Sequence, residues 1–257
     1  MNPSKPDLLF SNKVVIVTGA SRGIGSATAQ AFARQGATVI INYRSDAAGA
    51  EKTLARVQDE GGKAHILQAD ISLIEDIDRM VTQTEQEIGP IEVLINNAAA
   101  INRQSFLDVT MEGFDMTFST NIRGVFYLSQ QVARGMVKRQ HGSIIHTSSI
   151  LAQLSVPTRT VYSASKGAIL QMTKAFAVEL VGDGIRVNAI APGIIATPMT
   201  AITRADPGKI SKFLENVPMA RVGEADELVG PVVFLASEMS SYVTGTMIPV
   251  DGGFLAG

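Results

Sequence analysis

Tyr162 and Lys166 stand four residues apart in Tyr162-Ser163-Ala164-Ser165-Lys166, a spacing that puts both side chains on one face of a helix. A phenol ordinarily titrates near pH 10, so a depression of roughly three units, about 4 kcal/mol, makes it an acid and base near neutrality. An ammonium one turn away carries the right sign of charge. Upstream, Gly142-Ser143-Ile144-Ile145-His146-Thr147-Ser148-Ser149 begins as a β-prone run and ends in hydroxyls, which places a serine at the carboxyl end of a strand. Taken alone, Y-x-x-x-K more often marks an ordinary tyrosine and a solvated lysine, so the rest of the chain must carry the case.

Ile169, Met172, Phe176 and Leu180 recur at helical spacing and predict an amphipathic helix over about 160–181 that carries the pair. Residues 13–18 (KVVIVT) read as an apolar strand buried on both faces. Gly19-Ala20-Ser21-Arg22-Gly23-Ile24-Gly25 and an alanine-rich helix from 26 to 35 follow. Strand, glycine turn and helix in that order let a pyrophosphate approach the backbone at a helix start, where free N–H groups and the dipole favour it. A glycine cluster also fits a plain turn; its place between strand and helix favours the cradle.

Further strands are expected at 37–43, 64–68, 91–95, 184–191 and 247–250, with helices at 46–60, 73–88, 111–139 and 225–237. Residues 1–12 read as a flexible leader in which Leu8-Leu9-Phe10 could anchor, and 13–257 as one domain. The charge balance, 22 basic against 24 acidic residues with no long run of either sign, points to neither nucleic acid nor anionic membrane. The chain has no cysteine, and its three histidines lack metal-ligand spacing, so neither thiolate nor metal chemistry is expected. Without a signal-like segment or an apolar run of membrane-spanning length, a cytoplasmic protein is expected.

The glycine spacing T-G-x-x-x-G-x-G departs from the general dinucleotide fingerprint. With Y-x-x-x-K and Ser149 thirteen residues before the tyrosine, it resembles the short-chain dehydrogenase/reductase family along nearly the whole chain. The resemblance implies a doubly wound parallel sheet with helices on both faces, α/β of the Rossmann kind. It implies catalysis by Ser149, Tyr162, Lys166 and Asn121, the asparagine backbone holding a relay water linked to the lysine. Cofactor contacts are implied at Gly19, Ser21, Arg22, Gly23, Ile24 and Gly25, and at Asn97, Ala98 and Ala99, where Ala99 replaces the pattern's glycine. Tyr162 and Lys166 would also touch the cofactor, as would Pro192, Gly193, Ile195 and Thr197, the last two holding the nicotinamide carboxamide.

The family's acidic position for a ribose 2′-hydroxyl aligns with Tyr43, while Arg44, Ser45 and Arg22 could hold a 2′-phosphate, which favours NADP(H) and leaves NAD(H) open. Arg44 also reads as a solvated residue and Asp46 as a helix cap. Asp70 and Ile71 align with the adenine site, although Ser72 to Glu75 has capping-box form and Asp70 could merely shape the turn. Residues 198–217 resemble a substrate lid, and relatives pair the 111–139 and 160–181 helices in dimers within a homotetramer.

These features imply an NADP(H)-dependent reductase of a ketone or 3-oxoacyl carbonyl. A dehydrogenase of a sugar, polyol or other secondary alcohol is the alternative. A dinucleotide-binding sensor without catalysis is a third reading, disfavoured because Ser149, Tyr162 and Lys166 are all present. Carrier-protein reductases of the family place basic residues beside the active-site entrance where this chain has Gln140 and Asp183, which weakens that substrate.

Overall fold

Seven short segments rich in β-branched residues form the centre: Val14–Val17 (β1), Thr38–Tyr43 (β2), Lys63–Gln68 (β3), Ile91–Asn96 (β4), Gly142–Thr147 (β5), Ile185–Pro192 (β6) and Met247–Val250 (β7). In the computed structural model, which describes residues 8–257, they pair in parallel in the order β3-β2-β1-β4-β5-β6-β7. The order reverses between β1 and β4, and such a switch point opens a crevice at the strands' carboxyl ends.

Successive strand residues point to opposite faces, so a sheet covered on both sides needs near-continuous apolar runs. Val15, Val17, Val39, Ile41 and Ile95 pack on one face with Phe32 of Gly23–Arg34 (α1), Val57 of Ala47–Asp59 (α2) and Leu235 of the helix near the C-terminus. Val14, Ile16, Ile40, Leu94 and Ile144 face the other side, with Ile77 of Ile74–Gln83 (α3) and residues of the long helices. The predicted 111–139 helix is three pieces: Met111–Phe118 (α4), a π-helical segment Ser119–Gly124, and Val125–Arg139 (α5). Gly124 lies against the Ile71 carbonyl, which a Cβ there would approach to 2.0 Å. Thr160–Leu180 (α6) follows as expected. Two short helices, Ala201–Arg204 (α7) and Pro207–Leu214 (α8), precede the last, Val229–Ala236 (α9).

The anchor read at Leu8-Leu9-Phe10 forms at Phe10, which is fully buried and packs edge-on against Phe32 at 4.8 Å between ring centres; residues 1–7 lie outside the described residues. Two sequence expectations need correction here. The Ser72–Glu75 capping box does not form, because the Asp70 carboxylate takes both the Ser72 amide (2.9 Å) and its hydroxyl (2.7 Å). Gln140 and Asp183, hydrogen-bonded at 3.2 Å, precede β5 and β6 and so lie across the sheet from the strands' carboxyl ends, away from the cavity entrance. Asp46 does cap α2, accepting from the Gly49 amide at 3.1 Å. Among the described residues, no helix is long and apolar enough to cross a membrane.

Candidate active site

A cavity of about 750 Å³ occupies the carboxyl edge of the sheet, within the size range of small-molecule sites. The loop after β1 brings Gly19, Ser21, Arg22, Gly23 and Ile24 to it. Arg44 and Ser45 enter after β2, Asp70 and Ile71 after β3, and Asn97, Ala98 and Ala99 after β4. Ser149 follows β5, Tyr162 and Lys166 come from α6, Pro192 ends β6, and Gly193, Ile195 and Thr197 follow it. Elements far apart in the chain thus converge on one wall.

The β1–α1 turn is shaped for a backbone approach. Gly19 and Gly23 take positive φ, +61° and +59°, and a Cβ on Gly19 would lie 2.9 Å from the Ala98 Cα. No side chain caps the start of α1 and no acid occupies its first turn, so its free amides and dipole face an incoming anion. These features fit a dinucleotide pyrophosphate. Ala99 takes no left-handed backbone, so the family glycine is not conformationally required at that position.

Two expected residues stand outside the cavity wall. Gly25 packs inward: a Cβ would lie 2.5 Å from the Gly19 carbonyl and 2.6 Å from Asn97 Nδ2. Asn121, buried in the π-helical segment, accepts from the Ala100 amide (2.8 Å) and donates to the Ala100 carbonyl (2.9 Å) and Ser165 Oγ (3.0 Å). Its side chain clamps the turn after β4 to the helix that bears Tyr162.

With this arrangement in view, comparison with known proteins is decisive. The sequence model described as "Enoyl-(Acyl carrier protein) reductase" matches residues 19–255. A 3-oxoacyl-[acyl-carrier-protein] reductase of Synechocystis sp. is 36% identical over 244 residues, 95% of this chain and 97% of the relative. The chain belongs to the short-chain dehydrogenase/reductase family. An L-rhamnose 1-dehydrogenase (NAD(P)(+)) of Azotobacter vinelandii is 39% identical, covering 96% of this chain and 98% of the other. The crystal structure of a gluconate 5-dehydrogenase from Burkholderia cenocepacia J2315 in complex with NADP and tartrate superposes with a TM-score of 0.93 at 31% identity, over 98% of each chain. The protein is therefore an oxidoreductase of this short-chain family.

In this short-chain dehydrogenase/reductase the electrostatics at Tyr162 differ from the sequence expectation. Lys166 is buried and donates from Nζ to the Thr147 carbonyl at 2.7 Å; burial lowers its pKa to about 8. Its Nζ lies 5.5 Å from the centre of the Tyr162 ring. Burial pushes Tyr162 up to about 12, against the downward pull of the nearby Ser149 hydroxyl and the charges of Arg103 and Arg159. Removing the phenol from water disfavours the phenolate more than its neighbours favour it. Ser149 Oγ accepts from the Leu151 amide at 3.1 Å, and Ser148 Oγ donates to the Lys166 carbonyl at 3.1 Å, fixing α6 against β5.

Several contributors escaped sequence reasoning. Thr18 Oγ1 accepts from the amides of Asn97 (2.9 Å) and Ala98 (3.0 Å), tying the glycine turn to the loop after β4. Asn42 accepts from Gly19 N at 3.3 Å and donates to the Ala69 carbonyl at 3.0 Å. Both are polar residues at the ends of apolar strands, the one sign that could have exposed them. Arg103 and Arg159 line the cavity from irregular segments where no periodic pattern marks them.

Proposed function

We propose that this protein is an NADP(H)-dependent reductase of a ketone or 3-oxoacyl carbonyl, giving a secondary alcohol. One observation carries the reading: Ser149, Tyr162 and Lys166 share a cavity with a glycine turn suited to a pyrophosphate. The coenzyme, when bound, supplies the hydride. Tyr162 donates its proton to the carbonyl oxygen, and a phenol kept neutral by burial suits a donor in that direction. Ser149 holds the same oxygen from its place after β5, so two hydroxyls meet the charge that develops there. Lys166 holds the nicotinamide ribose, and Asn121 keeps its relay role through the backbone of its π-helical segment.

Around the coenzyme, Gly19, Ser21, Gly23 and Ile24 take the pyrophosphate, with Gly25 giving α1 its close packing. Asp70 and Ile71 take the adenine; Asn97, Ala98 and Ala99 flank the adjoining sugar. Pro192, Gly193, Ile195 and Thr197 orient the nicotinamide. Arg22, Arg44 and Ser45 take the 2′-phosphate, a reading in keeping with the NADP bound in the Burkholderia relative, while the Azotobacter relative is named for both NAD and NADP. Asp46 and Asp70, 3.8 Å from Arg22 and 4.0 Å from Arg44, offset part of this positive charge. Residues 198–217 act as the substrate lid. Exposed Phe126, Val178 and Val181, on and just beyond α5 and α6, support a homotetramer assembled through those helices.

The Azotobacter relative supports a second reading, oxidation of a sugar or polyol by the same groups run in reverse. NADPH consumption across ketones, aldehydes and 3-oxoacyl thioesters, set against NADP reduction by sugars, separates the two. Tyr162→Phe loses turnover by roughly a hundredfold or more while NADPH still binds; near-normal turnover overturns the assignment.

A further inference from the structure

Arg103 and Arg159 enter the cavity at the end that holds Tyr162 and Ser149. Among the described residues, neither has a carboxylate within 4.0 Å, the limit within which Arg22 and Arg44 meet Asp46 and Asp70 at the other end. Arg159, just ahead of α6, donates from Nη1 to the carbonyl (2.8 Å) and hydroxyl (2.7 Å) of Thr158. Arg103 gives Nη2 to the Met199 carbonyl of the lid segment, while its Nε is buried with no acceptor.

A partly desolvated guanidinium without a counter-charge is costly, and two sharing one cavity also repel. Burial and the charge of Arg103 both lower the Arg159 pKa, which records that cost. An incoming anion relieves it through charge-assisted hydrogen bonds from forked donors. Leu151, Val156, Met199 and Ile202 add apolar surface to the lining, so among the described residues the two charges meet neutral acceptors and no carboxylate.

We propose that Arg103 and Arg159 form an anion subsite, and that the substrate is a small keto or hydroxy compound bearing a carboxylate or phosphate. The anion binds between the guanidinium groups while Tyr162 and Ser149 hold the reacting oxygen, so charge selects the substrate and orients it. The inference rests on the carbonyl-reductase reading of this cavity.

The test measures NADPH oxidation with two matched pairs: levulinate against methyl levulinate, and dihydroxyacetone phosphate against dihydroxyacetone. The charged member of at least one pair has a kcat/KM roughly tenfold or more above its neutral partner, and the pair that shows it separates carboxylate from phosphate. In Arg159→Gln and Arg103→Gln that ratio falls roughly tenfold, chiefly through KM, and Arg159→Lys restores part of it. Taking the ratio cancels any general change at Tyr162. A ratio near one for both pairs in an enzyme that reduces the neutral ketones, or a preference unchanged in both variants, overturns the proposal. Where no ketone is reduced, the function reading fails by itself, and calorimetry of malonate and inorganic phosphate into the NADPH complex decides the subsite. Saturable binding lost in Arg159→Gln supports it; no binding, or binding indifferent to the substitution, overturns it.

Discussion

Asn121→Ala separates a structural clamp from a proton-relay post. The native side chain makes three hydrogen bonds at 2.8–3.0 Å, two to Ala100 and one to Ser165, and is 1% exposed. Each bond is worth about 0.5–1.5 kcal/mol net. Water reaches the half-buried Ala100 groups but not Ser165 Oγ, which keeps its own donation to the Tyr162 carbonyl at 2.7 Å. The variant therefore loses about 2–4 kcal/mol, and at roughly 2–4 °C per kcal/mol for a chain near this size the midpoint falls by about 4–16 °C. Thermal unfolding of the protein without coenzyme reads this directly, where a relay water has no catalytic part to play. Ser165→Ala removes one of the three bonds and also the Ser165 donation to the Tyr162 carbonyl, about 1–3 kcal/mol together, and lowers the midpoint by about 2–12 °C. An Asn121→Ala midpoint within 1 °C of the parent would refute the clamp, even if turnover were lost.

Two further outcomes follow from other sites. His146 is fully buried beneath the active site, shares a 2.9 Å hydrogen bond with Thr173, and has its pKa lowered to about 3 by burial and then by the charge of Lys166. The unfolded chain binds this proton below about pH 6.5 and the folded chain does not, so the stability present above 6.5 is lost as pH falls toward 3. Between pH 7 and pH 5 the loss from this residue is about 2 kcal/mol; urea unfolding of His146→Gln at the two pH values should show that much less acid sensitivity, and equal slopes would reject the account. At the other end of the cavity, Arg44→Ala weakens NADPH binding by roughly tenfold, the low end for a charge-assisted contact because its side chain is 62% exposed and near Asp70. Fluorescence titration with NADPH and NADH reads this, and an equal loss for both coenzymes would remove Arg44 from the 2′-phosphate site.

The strand ladder was legible in the residues themselves: 13–18 gave β1, whose unbroken apolar run is that of a strand covered on both faces, and 247–250 gave the half-exposed edge strand β7. The candidate trio that lines the cavity and the glycine turn were equally legible, since local spacing, four residues for one helical face, is a property of the chain alone. Breaks imposed by neighbours were not. The π-helical segment at Ser119–Gly124 exists where Gly124 meets Ile71, some fifty residues earlier, and helical periodicity runs through it without a mark. The phenol shows the same limit from the chemical side. Tyr162-x-x-x-Lys166 fixes which groups are near each other, but the Tyr162 pKa depends on how much water the fold removes and on which distant charges it brings close. Arg103 and Arg159, fifty-six residues apart in loops, acquire a shared meaning only when the sheet's crossovers deliver both to one cavity. Sequence determined the order of strands and helices and which candidate side chains stand at local spacing from one another; solvation and long-range charge, set by the packing of segments remote along the chain, were decided by the tertiary structure.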